Sequence, residues 1–240
     1  MYTGVKSLIS LYKKPFNREV TALKKAKQRL REQGKKTTET LVTEEKELVL
    51  AEWDQLAKFG TQAHESIVNR RIKKFPKSVV GKYTKFEGEE KLPAEDINKL
   101  EVGMRYYEKM IVDNQNMIIG YADEVNVDER GYINIEDFKT HREIRRTYTA
   151  KADNGFTIIN NFYHPVGNLI DCNYIECALQ ASFYMYILWT YNKRLKPGKL
   201  TMLHTKLDEE TGNIIGEEVI ELPYLIEEVK AIIQHQKELK

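Results

Sequence analysis

Two stretches of the sequence combine charged side chains with the apolar alternation that is typical of β-strands. Side chains two positions apart on a strand share a face, so Asp137 and Lys139 fall on the same face as two isoleucines. In the preceding stretch, Asp123 shares a face with two valines. A buried charge is costly unless it is paired or bound to a metal ion. These three charged side chains therefore need a compensating partner.

Alternation alone leaves two explanations open. In the first, Lys139 and Asp137 form a structural ion pair, and Asp123 is solvated at the rim of the sheet. In the second, the two carboxylates supply the hard oxygen ligands that Mg²⁺ and Mn²⁺ prefer. A lysine beside such an ion could orient or deprotonate a water molecule, or stabilise charge that develops on a phosphate.

The predicted secondary structure places these strands between helices. We expect helices over residues 41–58 (ending at Phe59-Gly60), from Thr61 onward, from Pro93 to Met104, over 173–193 and over 223–240, and strands over 108–113, 117–127, 132–139, 199–206 and 214–221. The first 40 residues predict a basic helical arm, residues 81–91 a polar loop, and residues 140–172 an irregular section. The central order of helix, three strands, helix and strand indicates a mixed α/β (α+β) domain with an antiparallel meander.

Composition excludes several classes of protein. The chain has 240 residues, of which 41% are hydrophobic and 31% charged, as in ordinary globular proteins. No apolar run approaches the ~18–20 residues of a membrane helix, and the apolar stretch near the start is too short for a signal peptide. We therefore expect a cytoplasmic protein with no membrane partner. Cys172 and Cys177 are too few for a disulfide framework or a four-cysteine metal site.

The net charge of +2 hides a separation of signs along the chain. Residues 6–36 hold 11 Lys and Arg against 2 acids, whereas residues 206–240 hold 9 acids and 4 lysines. Each basic stretch alone could be a solvated helix face, but several around one site favour nucleic acid. The residues predicted to contact DNA by this argument are Arg70, Arg71, Lys73, Lys74, Arg142, Arg145 and Arg146.

Four short motifs together resemble the RecB-like branch of the PD-(D/E)XK nuclease superfamily. Gly120-Tyr121-Ala122-Asp123 is similar to its G-x-x-D signature, and Asp137-Phe138-Lys139-Thr140 is similar to its D-[aromatic]-K-T signature. Upstream, the segment from Gly60 to His64 is similar to G-x-x-x-H, and downstream the segment from Gln180 to Tyr184 is similar to Q-x-x-x-Y. The motifs occur in the family's order. The resemblance implies a restriction-endonuclease-like αβββαβ core with a mixed central sheet.

The resemblance also implies a function for each motif residue. The implied metal ligands are His64, Asp123, Asp137 and the Phe138 carbonyl, and Lys139 is the implied catalytic lysine. Glu108, on the first strand, would bind a second metal ion or its water. Gln180 and Tyr184 share one helix face and would support the site or contact nucleic acid. Structural alternatives remain open: a buried core histidine, core packing for the tyrosine, and a backbone cap for the glutamine. The implied cofactor is one or two Mg²⁺ or Mn²⁺ ions.

An activity and a domain plan follow from the same resemblance. Many relatives hold an iron–sulphur cluster with four cysteines, so a cluster-free, phage-type exonuclease is the better analogy, and the two cysteines are predicted to be packing residues. We expect one nuclease domain, comprising a basic helical extension (1–58), a catalytic core (59–206) and a C-terminal strand and helix (207–240). It would cleave DNA phosphodiester bonds at ends, in recombination, repair or phage DNA processing, in the cytoplasm of a bacterium or an infected host. The alternative is a catalytically silent DNA-binding or accessory subunit.

Overall fold

A mixed β-sheet with helices on both faces forms the protein, which a computed structural model describes over residues 1–81, 91–147, 149–151 and 157–239. The helices are α1 (Val5–Ser10), α2 (Arg18–Glu32), α3 (Glu39–Lys74), α4 (Ala94–Asn98), α5 (Asn173–Tyr191) and α6 (Ile226–Glu238). The strands are β1 (Thr3–Gly4), β2 (Ser78–Val80), β3 (Arg105–Asp113), β4 (Ile118–Val127), β5 (Tyr132–Lys139), β6 (Thr149–Lys151), β7 (Thr157–Ile159), β8 (Lys196–Leu207) and β9 (Ile214–Leu222).

Seven of the described strands form the main sheet, in the order β2-β3-β4-β5-β8-β9 with β1 paired to β4. Strands β3, β4 and β5 form the antiparallel meander that the sequence predicts. Strands β5 and β8 are parallel and α5 lies between them in the chain, whereas β9 runs antiparallel to β8. Strands β6 and β7 pair separately. The predicted α+β class with a mixed sheet is confirmed.

The turn between β4 and β5 sets the register of the two strands that carry the site aspartates. The Asp128 carboxylate accepts hydrogen bonds from two backbone N–H groups of the turn, at 3.0 and 2.9 Å. Gly131 follows with φ +79°, a left-handed conformation that glycine adopts readily. The paired part of the strands ends just short of Asp123 and Asp137, so these aspartates come next on the two strands.

Helix α5 provides the main apolar layer on one face of the sheet. Leu179, Phe183 and Ile187, which the sequence places on one stripe, are buried against strand residues that include Ile133 and Ile135. Helices α1 and α6 pack beside α5 and complete this layer. Continuous burial of this kind removes apolar surface from water, which is the main stabilising term in folding.

The opposite face of the sheet is covered by the C-terminal half of α3. Ile67 and Val68 pack there against Phe138 of β5 and two further buried side chains. Helix α3 has 36 residues and is about 54 Å long. The predicted helix end at Phe59-Gly60 is therefore wrong. A glycine inside a helix costs only ~1 kcal/mol, and a Cβ on Gly60 would lie 2.7 Å from Thr140 Oγ1, so the glycine allows the helix to approach β5.

Only part of the predicted basic arm (residues 1–40) is separate from the core: β1 and α1 belong to the main sheet and its apolar layer, whereas α2 forms a helical hairpin with residues 39–58 of α3. Small and aliphatic side chains of α2, including Ala22, Ala26 and Leu30, are buried. Arg18 at the start of α2 pairs with Asp54 of α3 at 2.6 Å. Helix α3 runs through the predicted boundary at residue 58, from the helical hairpin into the layer over the sheet.

Several predicted bounds differ from the structure. The helix expected through Met104 ends at Asn98, because the Asn98 side chain exchanges two hydrogen bonds with the Val112 backbone, at 2.6 and 3.0 Å. Strand β3 begins at Arg105, and the section predicted to be irregular contains β6 and β7. Most of the predicted polar loop, residues 82–90, lies outside the described residues. No helix in the described part of the chain is long and apolar enough to cross a membrane.

Candidate functional site

A cleft of about 950 Å³ opens between α3 and α5, at the carboxyl end of β5. One wall is the segment of α3 from Ala57 to Asn69, and the other is the first two turns of α5. The end of β5 and the residues that follow it form the floor. Of the residues predicted for the site, those that line the cleft are His64, Glu108, Phe138, Lys139 and Gln180.

His64, Glu108 and Asp123 converge from α3, β3 and β4. One ligand atom of each lies within 4.8 Å of the ligand atoms of the other two, as in a metal-binding group. His64 Nε2 and Glu108 Oε1 are 2.5 Å apart, at hydrogen-bonding distance. The structure thus brings together two predicted metal ligands and the glutamate predicted to serve a second ion. A nitrogen donor and two carboxylates suit a divalent transition-metal ion such as Mn²⁺.

Glu108 lies at an irregular point of β3. Its φ is 51°, in the left-handed region that non-glycine residues rarely adopt. Its neighbours Tyr107 and Lys109 pair with β4 on either side, so the irregularity is local. A Cβ on Gly81 would clash with the Glu108 carbonyl oxygen, so a glycine is required where β2 approaches. Such strain costs about 1–3 kcal/mol and concentrates at functional sites.

Asp137 and Lys139 form an ion pair beside this group. The Lys139 ammonium contacts Asp137 Oδ2, and Gln180 Nε2 donates to Asp137 Oδ1 at 3.3 Å. Gln180 also donates to the Tyr184 hydroxyl at 3.0 Å, so the two predicted supporting residues form one buried chain of hydrogen bonds. The Lys139 ammonium is thus the partner of the buried Asp137 Oδ2. A divalent cation that bound this oxygen would have to share it with the ammonium or displace it.

The Asp123 carboxylate connects the two strands where their pairing ends. Its Oδ2 accepts a hydrogen bond of 2.6 Å from the Phe138 backbone N–H. The Phe138 ring packs on the α3 side, with its centroid 5.5 Å from that of His64. These contacts hold the backbone of β5 next to the carboxylate of β4. The role of the Phe138 carbonyl as a ligand stays a prediction.

The electrostatics of the cleft are those of a crowded acidic site. Burial, together with repulsion from Asp137, raises the pKa of the Asp123 carboxyl to about 7. Burial opposes the charged form of Lys139, but the carboxylates of Asp137 and Asp123 outweigh it and raise the pKa of the lysine. The hydrogen bond to Glu108 raises the pKa of His64 in spite of partial burial. Neighbouring carboxylates raise the pKa values of Lys139 and His64, whereas the pKa of Asp123 is raised first by burial and second by Asp137.

Two glycines of the sequence motifs have a direct steric explanation. Gly60 faces Thr140, with no room for a side chain between α3 and the end of β5. Gly120 faces the Tyr184 ring, and a Cβ there would clash with it. The motif glycines therefore allow α3 and α5 to approach the sheet closely, which places His64 and Gln180 at the site.

The basic residues predicted to contact DNA lie at two places beside the cleft. Arg70, Arg71, Lys73 and Lys74 form the end of α3, whereas Arg142, Arg145 and Arg146 follow β5. Several of them have acidic partners: Arg70 pairs with Glu217, Arg71 with Glu136 at 2.5 Å, Arg142 with Glu209 at 2.8 Å, and Arg145 with Glu143 at 2.9 Å. Arg146 stacks on the Tyr174 ring at 4.6 Å. Their contact with nucleic acid stays a prediction.

Sequence reasoning missed a second charged network, on the α3 side of the sheet. Glu124 and Glu136, which neighbour the two site aspartates in sequence, point to the opposite face and bind Arg71 and Arg105. The alternation of strand faces could have located both glutamates. The two cysteines are free and buried, as packing residues are, although Cys177 also lines the cleft.

Comparisons with known proteins give little further information. No family model matches the chain, and no curated protein matches it. One similar solved structure is titled "Crystal structure of SSO0001"; the match has 15% sequence identity and a TM-score of 0.26, and covers 58% of this chain and 50% of that chain. A likeness at this level carries no information on fold or activity.

Proposed function

We propose that the protein is a metal-dependent DNA nuclease with a restriction-endonuclease-like core, of the RecB-like type without an iron–sulphur cluster. The observation that carries the proposal is the convergence of His64, Glu108 and Asp123 beside the Asp137–Lys139 pair, at a cleft that His64, Glu108 and Lys139 line. These residues come from four elements that are distant in sequence. Hydrolysis of a phosphodiester needs such an arrangement of carboxylates and a cationic side chain around the phosphate.

The donor set fits Mg²⁺ or Mn²⁺. His64, Glu108 and Asp123 would hold the ion, and Asp137, whose carboxylate lies beside them in its pair with Lys139, is the next candidate ligand. When bound, the ion supplies electrostatic stabilisation of the charge that develops on the phosphate. Carboxylate oxygens suit both ions, and the imidazole nitrogen favours Mn²⁺ over Mg²⁺.

The chain's own groups would perform the remaining tasks. Lys139 would donate to the scissile phosphate or orient the attacking water, because its ammonium lies next to Asp137 and lines the cleft. Gln180 and Tyr184 would fix the orientation of Asp137 through their hydrogen bonds. Lys6 of α1 also lines the cleft and would contact a neighbouring phosphate.

DNA is the substrate that the surroundings of the cleft support. Basic residues of α3 and of the segment after β5 flank it on two sides. We infer that the enzyme is an exonuclease acting on DNA ends, in the cytoplasm of a bacterium or a phage-infected host, during recombination, repair or phage DNA processing.

The test is incubation of the purified protein with linear and circular DNA in Mg²⁺, Mn²⁺ or EDTA. We expect metal-dependent loss of linear DNA, and loss of that activity in Asp123→Asn, which keeps the shape of the side chain. Degradation of linear DNA alone would identify an exonuclease, and nicking of circles an endonuclease. Activity that persists in EDTA or in Asp123→Asn would contradict the proposal.

One observation supports the alternative of a catalytically silent DNA-binding subunit. The direct Lys139–Asp137 ion pair satisfies both charges without a metal ion, as a structural pair would. In that case the protein would bind DNA in the assay above without cleaving it under any metal condition.

A further inference from the structure

An aromatic pair lies on the surface where the chain enters α2. The Phe16 side chain is 69% exposed. Its ring centroid lies 6.2 Å from that of Trp53, with the ring planes inclined by 47°. Trp53 lies on α3 and is half-buried. A phenylalanine that exposed contributes little to the core, so the Phe16 ring is open to solvent beside Trp53, and the two residues are here named the aromatic platform.

Cationic side chains surround the aromatic platform. Lys25 Nζ lies 5.8 Å from the centre of the Trp53 ring. Lys14, two residues before Phe16, lines a cavity of about 490 Å³ together with Arg142 and Arg145. The acidic residues on the adjoining part of α3 are engaged, Asp54 by Arg18 and Glu52 by Arg29. The platform therefore combines an exposed ring with Lys14 and Lys25, whereas Arg142 and Arg145 are engaged by Glu209 and Glu143.

The aromatic platform and the candidate metal ligands share one face of α3. Trp53 and His64 are 11 residues apart, which at 100° per residue leaves them about 20° apart around the axis and about 16 Å apart along it. Ala57 and Gly60 lie between them and line the cleft. Ala57 has a small side chain, whereas Gly60 is packed against Thr140. A stretch of about five stacked nucleotides, at 3.4 Å each, spans this distance.

The segment that carries Phe16 also links α5 to α3 next to the cleft. Lys13 pairs with Glu176 of α5 at 2.7 Å. Three residues later, Phe16 contacts Trp53 of α3. Residues 13–16 therefore run from the α5 wall of the cleft to a point on α3 about one turn before its wall begins at Ala57, and they hold the platform beside the cleft.

We propose that Phe16 and Trp53 form a stacking site for single-stranded DNA, which holds the bases of the strand whose phosphate lies in the cleft. This inference rests on the proposed nuclease function for its choice of ligand. Aromatic rings stack on any base, and the stacking is independent of sequence. Bases within a duplex are already stacked on each other, so the platform favours a single strand. Lys14 and Lys25 would contact the adjoining phosphates.

The experiment follows the fluorescence of Trp53 while a short single-stranded oligonucleotide is added in EDTA, so that binding is measured without cleavage. Stacking should quench the emission, and the corresponding blunt duplex should quench it far less. Phe16→Ala should weaken binding by about five- to 150-fold. Leu11→Ala, at a 60% exposed aliphatic position of the same segment, is the matched control and should bind as the wild type does.

The Trp53→Phe variant distinguishes loss of the fluorescence signal from loss of the stacking site. It should retain most of the affinity, measured by anisotropy of a labelled oligonucleotide, but lose the quenching, since Trp189, the other tryptophan, lies near the end of α5 that is remote from the cleft. Equal affinity of Phe16→Ala and the wild type, or equal quenching by duplex, would overturn the stacking site. Failure of the nuclease proposal would be visible separately, as no cleavage by the same protein after Mn²⁺ is added.

Discussion

The strained backbone of Glu108 places a carboxylate next to the His64 imidazole. In a regular strand, successive side chains point to opposite faces of the sheet, so sequence position alone would decide the face on which Glu108 lies. The left-handed φ of 51° breaks that alternation, and the 2.5 Å contact between His64 and Glu108 is the result. The energetic cost of the strain is balanced by the packing of β3 between β2 and β4.

Glu108→Gln should remove a pH-dependent contribution to stability. The contact with Glu108 raises the pKa of His64 in the folded state. Its stabilisation is therefore complete below the unfolded pKa of ~6.5 and is lost as the pH rises through the folded pKa. In EDTA, we expect the variant to be less stable than the wild type by about 1 kcal/mol at pH 6 and by less at pH 9. Urea unfolding at the two pH values measures this, and a difference that is independent of pH would contradict it.

Lys139→Ala should abolish turnover and leave Asp137 without its countercharge. Removing one partner of a buried ion pair costs about 3–5 kcal/mol, so the metal-free variant should unfold at lower urea. Mn²⁺ should restore part of this loss, because the ion can neutralise the carboxylate. Lys139→Arg, which keeps the charge, is the control for stability. An alanine variant that cleaves DNA at the wild-type rate would show that the lysine has no role in the reaction.

The alternation of side chains along a strand predicts the face of some of these residues and not of others, for a physical reason. It correctly places Asp123 and Asp137 on the α5 side of adjacent strands, since both strands are regular up to that point. It cannot place Glu108, because one left-handed residue changes the direction of the side chain. It also cannot choose between an ion pair and a metal group, and the structure contains a Lys139–Asp137 pair beside the three converging donors.

At the level of elements, the contact between Gly60 and Thr140 determines how closely α3 approaches the end of β5. Gly60→Ala should destabilise the fold, although alanine is favoured over glycine in a helix by ~1 kcal/mol, because its Cβ would meet Thr140 Oγ1 at 2.7 Å. In a Thr140→Ala background, the same change should stabilise. Urea unfolding of the four proteins gives the coupling free energy. Additive effects would mean that the close approach has no energetic consequence.

Arg71 provides a second attachment of α3 to the sheet. It contacts Glu136 at 2.5 Å and Glu124 at 3.8 Å, on the face opposite the site aspartates. Arg71→Ala should cost about 2 kcal/mol of stability and weaken Mn²⁺ binding, measured by calorimetry, because the same helix carries His64. Arg70→Ala, at an exposed pair with Glu217, should change stability by less than about 0.5 kcal/mol. Equal losses of DNA affinity in both variants, with stability unchanged, would instead assign Arg71 to the nucleic-acid surface.

The elements themselves were predictable where one apolar pattern dominates. The stripe of α5 and the three-strand meander follow from periods of 3.6 and 2, and both are present. The continuity of α3 was not predictable, because Phe59-Gly60 is a local helix-stop signal that tertiary packing overrides. The close approach that requires Gly60 involves Thr140, 80 positions further along the chain.

On the scale of the whole molecule, some of the basic and acidic stretches that are separate in the sequence lie next to each other in the structure. Arg70, at the basic end of α3, pairs with Glu217 of β9. Arg142 pairs with Glu209, in the turn between β8 and β9. Part of the acidic C-terminal region thus lies against the basic stretches instead of facing away from them. Two basic residues next to the aromatic platform, Lys14 and Lys25, form no side-chain ion pair within the described part of the chain, although Lys25 is close enough to Glu52 to lower the pKa of its carboxyl.

Metal binding should stabilise the molecule as a whole, because the ligands belong to one helix and two strands, and the ion would connect the helix layer to the sheet. His64 lies on the helix that covers one face of the sheet, whereas Glu108 and Asp123 lie on neighbouring strands. An ion that binds only the folded state adds about 2.7 kcal/mol at a hundredfold excess over its Kd. We expect Mn²⁺ to raise the unfolding temperature of the wild type and of Glu227→Gln, a surface control that loses only an exposed ion pair with Lys230. Asp123→Asn should show no such rise. A rise of equal size in Asp123→Asn would place the ion elsewhere on the protein and remove the basis of the proposed metal centre.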